Sequence, residues 1–185
     1  MLYTRKGDNG TTKDFNSKPG ERKSKSSCQT ESLGALDELG AFLGLAKLKS
    51  AEVNWLVDDA KPADIILWTQ NCLFTIQAEV AGANMKVGQD KVLQMEAWAD
   101  WIEKELPPIK TFFISGGTEL AALFDVSRTL ARKAERRVIA GMEAKEFVLD
   151  QATLAFLNRL SSLFYALARL TNHFADIREI PPTYK

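Results

Sequence analysis

The chain has 185 residues, 45% of them hydrophobic, which is enough for one well-buried core but short of two ordinary domains. Its 24 basic and 24 acidic side chains cancel. No global field therefore draws it to nucleic acid or a membrane surface, and any anion site must come from local clustering. Two cysteines without metal-ligand spacing, no run near the ~18 apolar residues of a membrane span and no signal-type N-terminus exclude a disulfide scaffold; the expectation is a cytoplasmic protein in a reducing compartment.

Residues 1 to about 31 hold Gly7, Gly10 and Gly20 among many Ser, Thr, Asn and Asp, with the charged run Glu21-Arg22-Lys23-Ser24-Lys25. This reads as a loop rather than a packed element. Gly7-Asp8-Asn9-Gly10, followed by Thr11 and Thr12, can turn tightly and present N–H groups and hydroxyls to a phosphate. A Walker loop would need a preceding strand and a following Gly-Lys-Ser/Thr, which this stretch lacks, so a flexible polar arm is the alternative.

From about Ser32 the pattern turns helical through Leu36, Leu39, Leu43 and Ala46, with Asp37 and Glu38 near its start. Acids there complement the helix dipole or answer basic residues elsewhere. A second helix starts near Pro62, a residue suited to a first turn, and runs through Ile65, Trp68, Cys72, Ile76 and Val80. Val92, Met95, Trp98, Ile102 and Leu106 outline a third, stopped by Pro107-Pro108. Trp98 and Trp101 fit core or interface anchors.

An apolar run, Phe112-Phe113-Ile114, closes on Ser115-Gly116-Gly117-Thr118, where the glycines let the backbone bend into a fourth helix over about 118 to 140, ended by Gly141. On it Arg128, Arg132, Glu135 and Arg136 fall within about one quadrant at roughly 100° per residue, while Leu130, Ala134 and Val138 lie opposite. Guanidiniums at i, i+4 and i+8 repel one another unless carboxylates or phosphates offset them, and their planar forks suit oxyanions. The row is either a solvated face or an anion site.

The last helix, about 147 to 173, repeats Phe156, Leu157, Leu160, Leu163, Phe164, Leu167 and Leu170, with Asn158, Arg159, Ser161 and Ser162 on other faces. His173, the single histidine, reads as a helix-end residue, so Ser/His or Cys/His catalysis has little material. No alternating strand pattern stands out. The expectation is an all-α, antiparallel helical bundle: one domain over 1–185, with a polar arm (1–31), a bundle (32–173) and a tail (174–185).

Thr4-Arg5-Lys6-Gly7-Asp8-Asn9-Gly10-Thr11-Thr12, Leu36-Asp37-Glu38-Leu39, Phe112 through Gly116-Gly117-Thr118, Arg128-Thr129 to Arg132-Lys133-Ala134-Glu135-Arg136, and Leu157-Asn158-Arg159-Leu160-Ser161 together resemble the PduO-type ATP:cob(I)alamin adenosyltransferases. The motifs stand in the family's order and near its spacing. The resemblance implies a five-helix, ferritin-like bundle assembled as a homotrimer, with active sites between subunits and an N-terminal nucleotide-binding arm. It implies transfer of the 5′-deoxyadenosyl group of ATP to the cobalt of cob(I)alamin, giving adenosylcobalamin and triphosphate. Implied partners are ATP and a corrinoid, with a cob(II)alamin reductase before the step and an adenosylcobalamin-dependent enzyme after it.

Carried over by motif, Thr4, Arg5, Gly7, Asp8, Gly10, Thr11 and Thr12, with Lys25, would wrap ATP. Arg132 and Arg136, with Glu135 and Mg²⁺, would hold the triphosphate, and Asn158 would approach the nucleotide. Arg128 matches the arginine that pairs with Asp37 across the interface, and Phe112 the residue packed beneath the corrin ring that keeps a lower ligand off cobalt. Cobalt(I) is itself the nucleophile, so the scarcity of histidine is no obstacle; the protein must stabilise a polyphosphate leaving group.

Ser162 stands where the family usually has aspartate, Ser115 where it has proline, and Leu33 where an aromatic is common. These departures spare every arginine but weaken the expectation on the cobalamin side. Two other readings stay open: a carrier or sensor of the same fold that binds ATP or adenosylcobalamin without turnover, and a structural bundle whose arginine row is an oligomer interface.

Overall fold

The computed structural model describes residues 3–15 and 17–184. Five helices, α1 (Cys28–Ser50), α2 (Pro62–Val80), α3 (Gln89–Glu105), α4 (Glu119–Glu143) and α5 (Gln151–Phe174), form the bundle the sequence leads one to expect. α1 lies between α2 and α4, α4 between α1 and α5, and α5 between α4 and α3. The open side between α2, α3 and α5 is filled by aromatics: Trp68 meets Trp98 edge-on at 5.0 Å and Phe156 at 5.7 Å between ring centroids. Leu36, Leu39, Leu43, Ile65, Ile76, Met95, Ile102, Phe124, Phe156 and Phe164 are fully buried, so the apolar stripes read from the sequence do converge on one core.

The helix ends show why the boundaries differ from those expected. α1 begins at Cys28, four residues before Ser32, because it is capped twice. Ser27 Oγ accepts from Thr30 N at 3.2 Å, and the Glu146 carboxylate takes the N–H groups of Cys28 and Gln29 at 3.2 and 2.7 Å. α4 does not stop at Gly141 but runs to Glu143; the left-handed residue that ends it is Lys145, at φ 59°. Gly141 is instead a place of close approach, where a Cβ would stand 2.3 Å from Phe147 Cε1. α5 starts at Gln151 rather than 147, where Asp150 Oδ1 accepts from Ala152 N at 2.9 Å. Leu106 ends α3 in extended backbone, as expected before a proline.

The arm is more ordered than a polar loop. Two short strands, β1 (Thr11–Thr12) and β2 (Lys23–Ser24), pair antiparallel in the register Thr11↔Ser24 and Thr12↔Lys23. Arg22 donates to Thr11 Oγ1 and to Thr11 O at 2.6 and 2.9 Å, and Lys23 pairs with Asp14. Lys23 Nζ also reaches Gln29 Oε1 at 2.7 Å, and Gln29 Nε2 donates to Val80 O at 2.6 Å, fixing the arm to α1 and α2. Two-residue strands fall below any period a sequence can reveal. The segment after α5 also lies back on the bundle: Ile114 N donates to Ile180 O at 2.9 Å, and Arg169 pairs with Glu179.

Candidate active site

Between α3, α4, α5 and the 106–116 loop lies a cleft of about 790 Å³, a size suited to a cofactor-scale ligand. One wall is apolar, with Ile102, Leu106, Pro107, Pro108, Ile109, Phe112 and Phe113; the other carries Asp125, Arg128, Arg132, Ser161, Ser162, Tyr165 and Arg169. Phe112 is 78% exposed on the rim, so it is no core phenylalanine. Burial pushes the Tyr165 phenol above its usual range and keeps it a neutral hydroxyl.

The loop bearing Phe112 is held at several points. Gly116 and Gly117 take φ 113° and 114°, and Asn172 clasps them, its Nδ2 donating to Gly116 O at 2.7 Å and its Oδ1 accepting from Thr118 N at 3.1 Å. Arg169, only 6% exposed, donates to Pro107 O at 3.2 Å and to both oxygens of Glu179, with its guanidinium 5.3 Å from the Phe113 ring centroid.

Five cations lie on α4, and their partners separate them. Arg128 is 3.4 Å from Asp125, Lys133 2.5 Å from Glu38 and Arg137 3.7 Å from Glu31. Arg132 and Arg136 are exposed and, among the described residues, have no ion pair. Glu135 Oε1 accepts from Asn158 Nδ2 at 2.9 Å, joining α4 to α5 beside them. Asp37 is exposed and is not the partner of Arg128 within one chain; Asp125 is.

On the other side of α4, a second cavity of about 450 Å³ is lined by Thr12, Lys25, Thr30, Glu31, Gly34, Glu38, Lys133 and Arg137. The arm folds over it. Arg5 is in a left-handed conformation at φ 59°, its guanidinium 5.5 Å from the Tyr3 ring, and Lys6 N approaches Thr4 Oγ1 at 3.5 Å. Asp8 N reaches Arg5 O at 3.4 Å, Gly10 N donates to Gly7 O at 3.1 Å, and Lys25 N donates to Gly10 O at 2.9 Å. A Cβ on Gly7 would lie 3.3 Å from Lys25 Nζ, so the arm residues and Lys25 do come together. The two cavities share no lining residue: successive residues Arg132 and Lys133 point about 100° apart, so one chain does not bring the arm to Arg132.

Asp125, Tyr165 and Arg169 of the cleft carry no motif signal. Asp125 stands three residues before Arg128 on α4, a spacing the sequence does show, but its contact with Gly116 N, like that of Arg169 with Glu179, exists only once α4, α5 and the C-terminal segment are packed.

Comparison with known proteins places this geometry. Residues 2–171 match the family model described as cobalamin adenosyltransferase. The corrinoid adenosyltransferase of Bacillus subtilis is 34% identical over 183 residues, covering 97% of this chain and 90% of that protein. Corrinoid adenosyltransferase MMAB of Bos taurus is 31% identical over 175 residues, 92% of this chain and 70% of that one. The structure of a variant PduO-type ATP:corrinoid adenosyltransferase from Lactobacillus reuteri, complexed with cobalamin and ATP, superimposes with a TM-score of 0.85 at 26% identity, covering all of this chain and 97% of the other. Arm, arginine helix, Phe112 loop and all of the bundle but the last three residues of α5 thus fall within the residues the family model matches, and the chain belongs to the cobalamin adenosyltransferase family.

Proposed function

We propose that this protein transfers the 5′-deoxyadenosyl group of ATP to the cobalt of cob(I)alamin. The observation that carries the reading is a pair of arginines without an ion pair among the described residues, Arg132 on the wall of the cleft and Arg136 one turn further along α4, with an apolar opposite wall rimmed by Phe112. Cobalt(I) supplies both electrons of the new Co–C5′ bond, the C5′–O5′ bond breaks, and its electron pair leaves with the triphosphate. No side chain gives or takes a proton in this step. What the protein supplies is positive charge for the leaving group, and two planar guanidiniums that no described carboxylate pairs with suit that task.

Arg128 and Asp37 are assigned to the interface between copies, Arg132 and Arg136 to the triphosphate, and the arm from Thr4 to Thr12 with Lys25 to the nucleotide. Because the arm cavity and the arginine cleft are separate within one chain, a site built from both needs a second copy, which supports the homotrimer with sites between subunits. Among the described residues no three metal-ligating side chains cluster. Mg²⁺ fits all the same, since it is commonly bound by one or two carboxylates together with substrate phosphates. Glu135 with Asn158 offers one such carboxylate, and the ion would add charge compensation on the triphosphate. Phe112 is assigned to the lower face of the corrin, where exclusion of an axial ligand makes cobalt(II) easier to reduce.

A cobalt(I) substrate demands a reducing compartment, which supports a cytoplasmic location and partners of two kinds, a cob(II)alamin reductase and an enzyme that consumes adenosylcobalamin. The test is the optical spectrum of chemically reduced cobalamin mixed with MgATP and catalytic amounts of protein. Appearance of the light-sensitive alkylcobalamin supports the enzyme. ATP binding with a persistent cob(I)alamin spectrum supports the carrier or sensor, a reading favoured by Ser162, an exposed neutral hydroxyl on the cleft wall where an acid is usual.

A further inference from the structure

Asp125 sits in the first half of α4, only 9% exposed, on the wall of the large cleft. Its two oxygens serve two different elements: Oδ2 accepts from Gly116 N at 2.9 Å, and Oδ1 lies 3.4 Å from Arg128 Nε. A carboxylate buried this far is costly unless both oxygens are engaged, and these two contacts engage them. We propose that Asp125 is a positioning residue that couples the arginine helix to the loop carrying Phe112, so that the guanidinium of Arg128 and the corrin-facing wall are set by one carboxylate. The inference rests on the adenosyltransferase reading above.

The loop has no ladder of its own. Its placement comes from point contacts: Asn172 on Gly116 and Thr118, Ile180 O on Ile114 N, Arg169 on Pro107 O, and Asp125 on Gly116 N. The first two tie the loop to α5 and the C-terminal segment. Of these contacts Asp125 is the one that also holds Arg128 of the α4 arginine row. Arg128 thereby differs from Arg132 and Arg136, which have no carboxylate partner among the described residues: it is oriented before any partner or substrate arrives. Removing the carboxylate frees Arg128 to swing and leaves the Gly116 N–H without its acceptor. Within one chain both effects fall in the cleft that Phe112 lines and not in the cavity under that chain's own arm.

Two variants separate the contacts. Asp125→Asn keeps an acceptor for Gly116 N–H but loses the charge facing Arg128, and Asp125→Ala loses both. With MgATP saturating, Asp125→Ala is expected to raise KM for cob(I)alamin about tenfold and Asp125→Asn about threefold, with KM for ATP within about twofold of the parent protein. In Asp125→Ala the route that starts from cob(II)alamin and a reductant should lose more rate than transfer from prereduced cob(I)alamin, because the Phe112 loop is no longer registered. A purely structural role would lower the amount of active protein and leave both KM values alone. Unchanged cobalamin KM in both variants, or an ATP KM that rises in step, overturns the coupling. Should Asp125→Ala fail to fold, the near-isosteric Asp125→Asn decides by the same KM comparison. A parent protein that does not adenosylate cob(I)alamin refutes the function and this inference with it, whereas an active parent with unshifted variants refutes the inference alone.

Discussion

Any side chain at Gly117 would place its Cβ 2.3 Å from Asn172 Oδ1, the oxygen that accepts from Thr118 N and so holds the start of α4 against α5. Position 117 is closed twice, since its φ of 114° is also one that L side chains rarely adopt. Gly117→Ala is therefore expected to cost about 2–4 kcal/mol of stability by denaturant unfolding. Asn172→Ala removes the clash but not the backbone strain. The double variant should then be destabilised by less than the sum of the singles, a coupling that a double-mutant cycle measures directly. Strict additivity would mean that the loop relaxes away from Asn172.

Arg132 and Arg136 are exposed and make no ion pair among the described residues, and this separates a functional effect from a folding one. Arg132→Ala should lower kcat/KM for ATP about 100-fold, the scale of losing one donor to a developing anion. Its melting temperature should stay within about 2 °C of the parent. Arg169→Ala is the contrast. There a guanidinium that is 6% exposed leaves Glu179 and Pro107 O behind, and the expected loss is about 3–5 kcal/mol. Unchanged ATP kinetics in Arg132→Ala would remove it from the triphosphate site.

Phe112 and Phe124 are twelve residues apart in sequence but opposite in kind, at 78% and 0% exposure. Phe124→Ala leaves a core cavity, with an expected cost of about 3–5 kcal/mol. Phe112→Ala should change stability by less than about 0.5 kcal/mol, yet slow the cob(II)alamin-reduction route far more than transfer from prereduced cob(I)alamin. Equal losses in the two assays would show that Phe112 acts by packing the loop rather than by excluding an axial ligand.

The helices were legible because their apolar residues recur at a helical period and their ends carry local chemistry: Pro62 opens α2, and Pro107-Pro108 closes α3. Gly141 misled because a glycine near a helix end serves equally as a C-cap or as a close-approach site, and only the position of Phe147 tells which. The early start of α1 depends on Glu146, a capping residue more than a hundred positions away. In the site, the arginine row was visible but not the division of the α4 cations into paired and unpaired members: Glu31 and Glu38 pair with Arg137 and Lys133 across the α1–α4 interface, while Asp125 pairs with Arg128 three residues further along α4. Asp125 was half readable: its i,i+3 spacing from Arg128 lies on one helix, but its other partner is a backbone N–H, which has no sequence signature. The order of the C-terminal segment hangs likewise on one pair, Arg169 with Glu179, that no motif marks.

Cys72 provides a pH test that owes nothing to the cleft. It lies on α2 at 5% exposure, and burial pushes its thiol from the ordinary 9.0 up to about 11. A thiol whose folded pKa is raised stays protonated in the native state while the unfolded chain ionises. Stability is thus unaffected below pH 9 and falls between pH 9 and about 11, with a slope approaching about 1.4 kcal/mol per unit from this group. Other groups titrate in that window, so the contribution is read as the difference between the parent and Cys72→Ala: the gap between their unfolding free energies should narrow as pH rises from 9 to 11. Thiol reagents offer an independent check. At pH 8 Cys28, partly exposed at the start of α1, should react in the folded protein, and Cys72 only at the rate of unfolding. Prompt reaction of both thiols, or a parent-to-variant gap constant across the window, would mean that α2 opens locally far more often than its buried face implies.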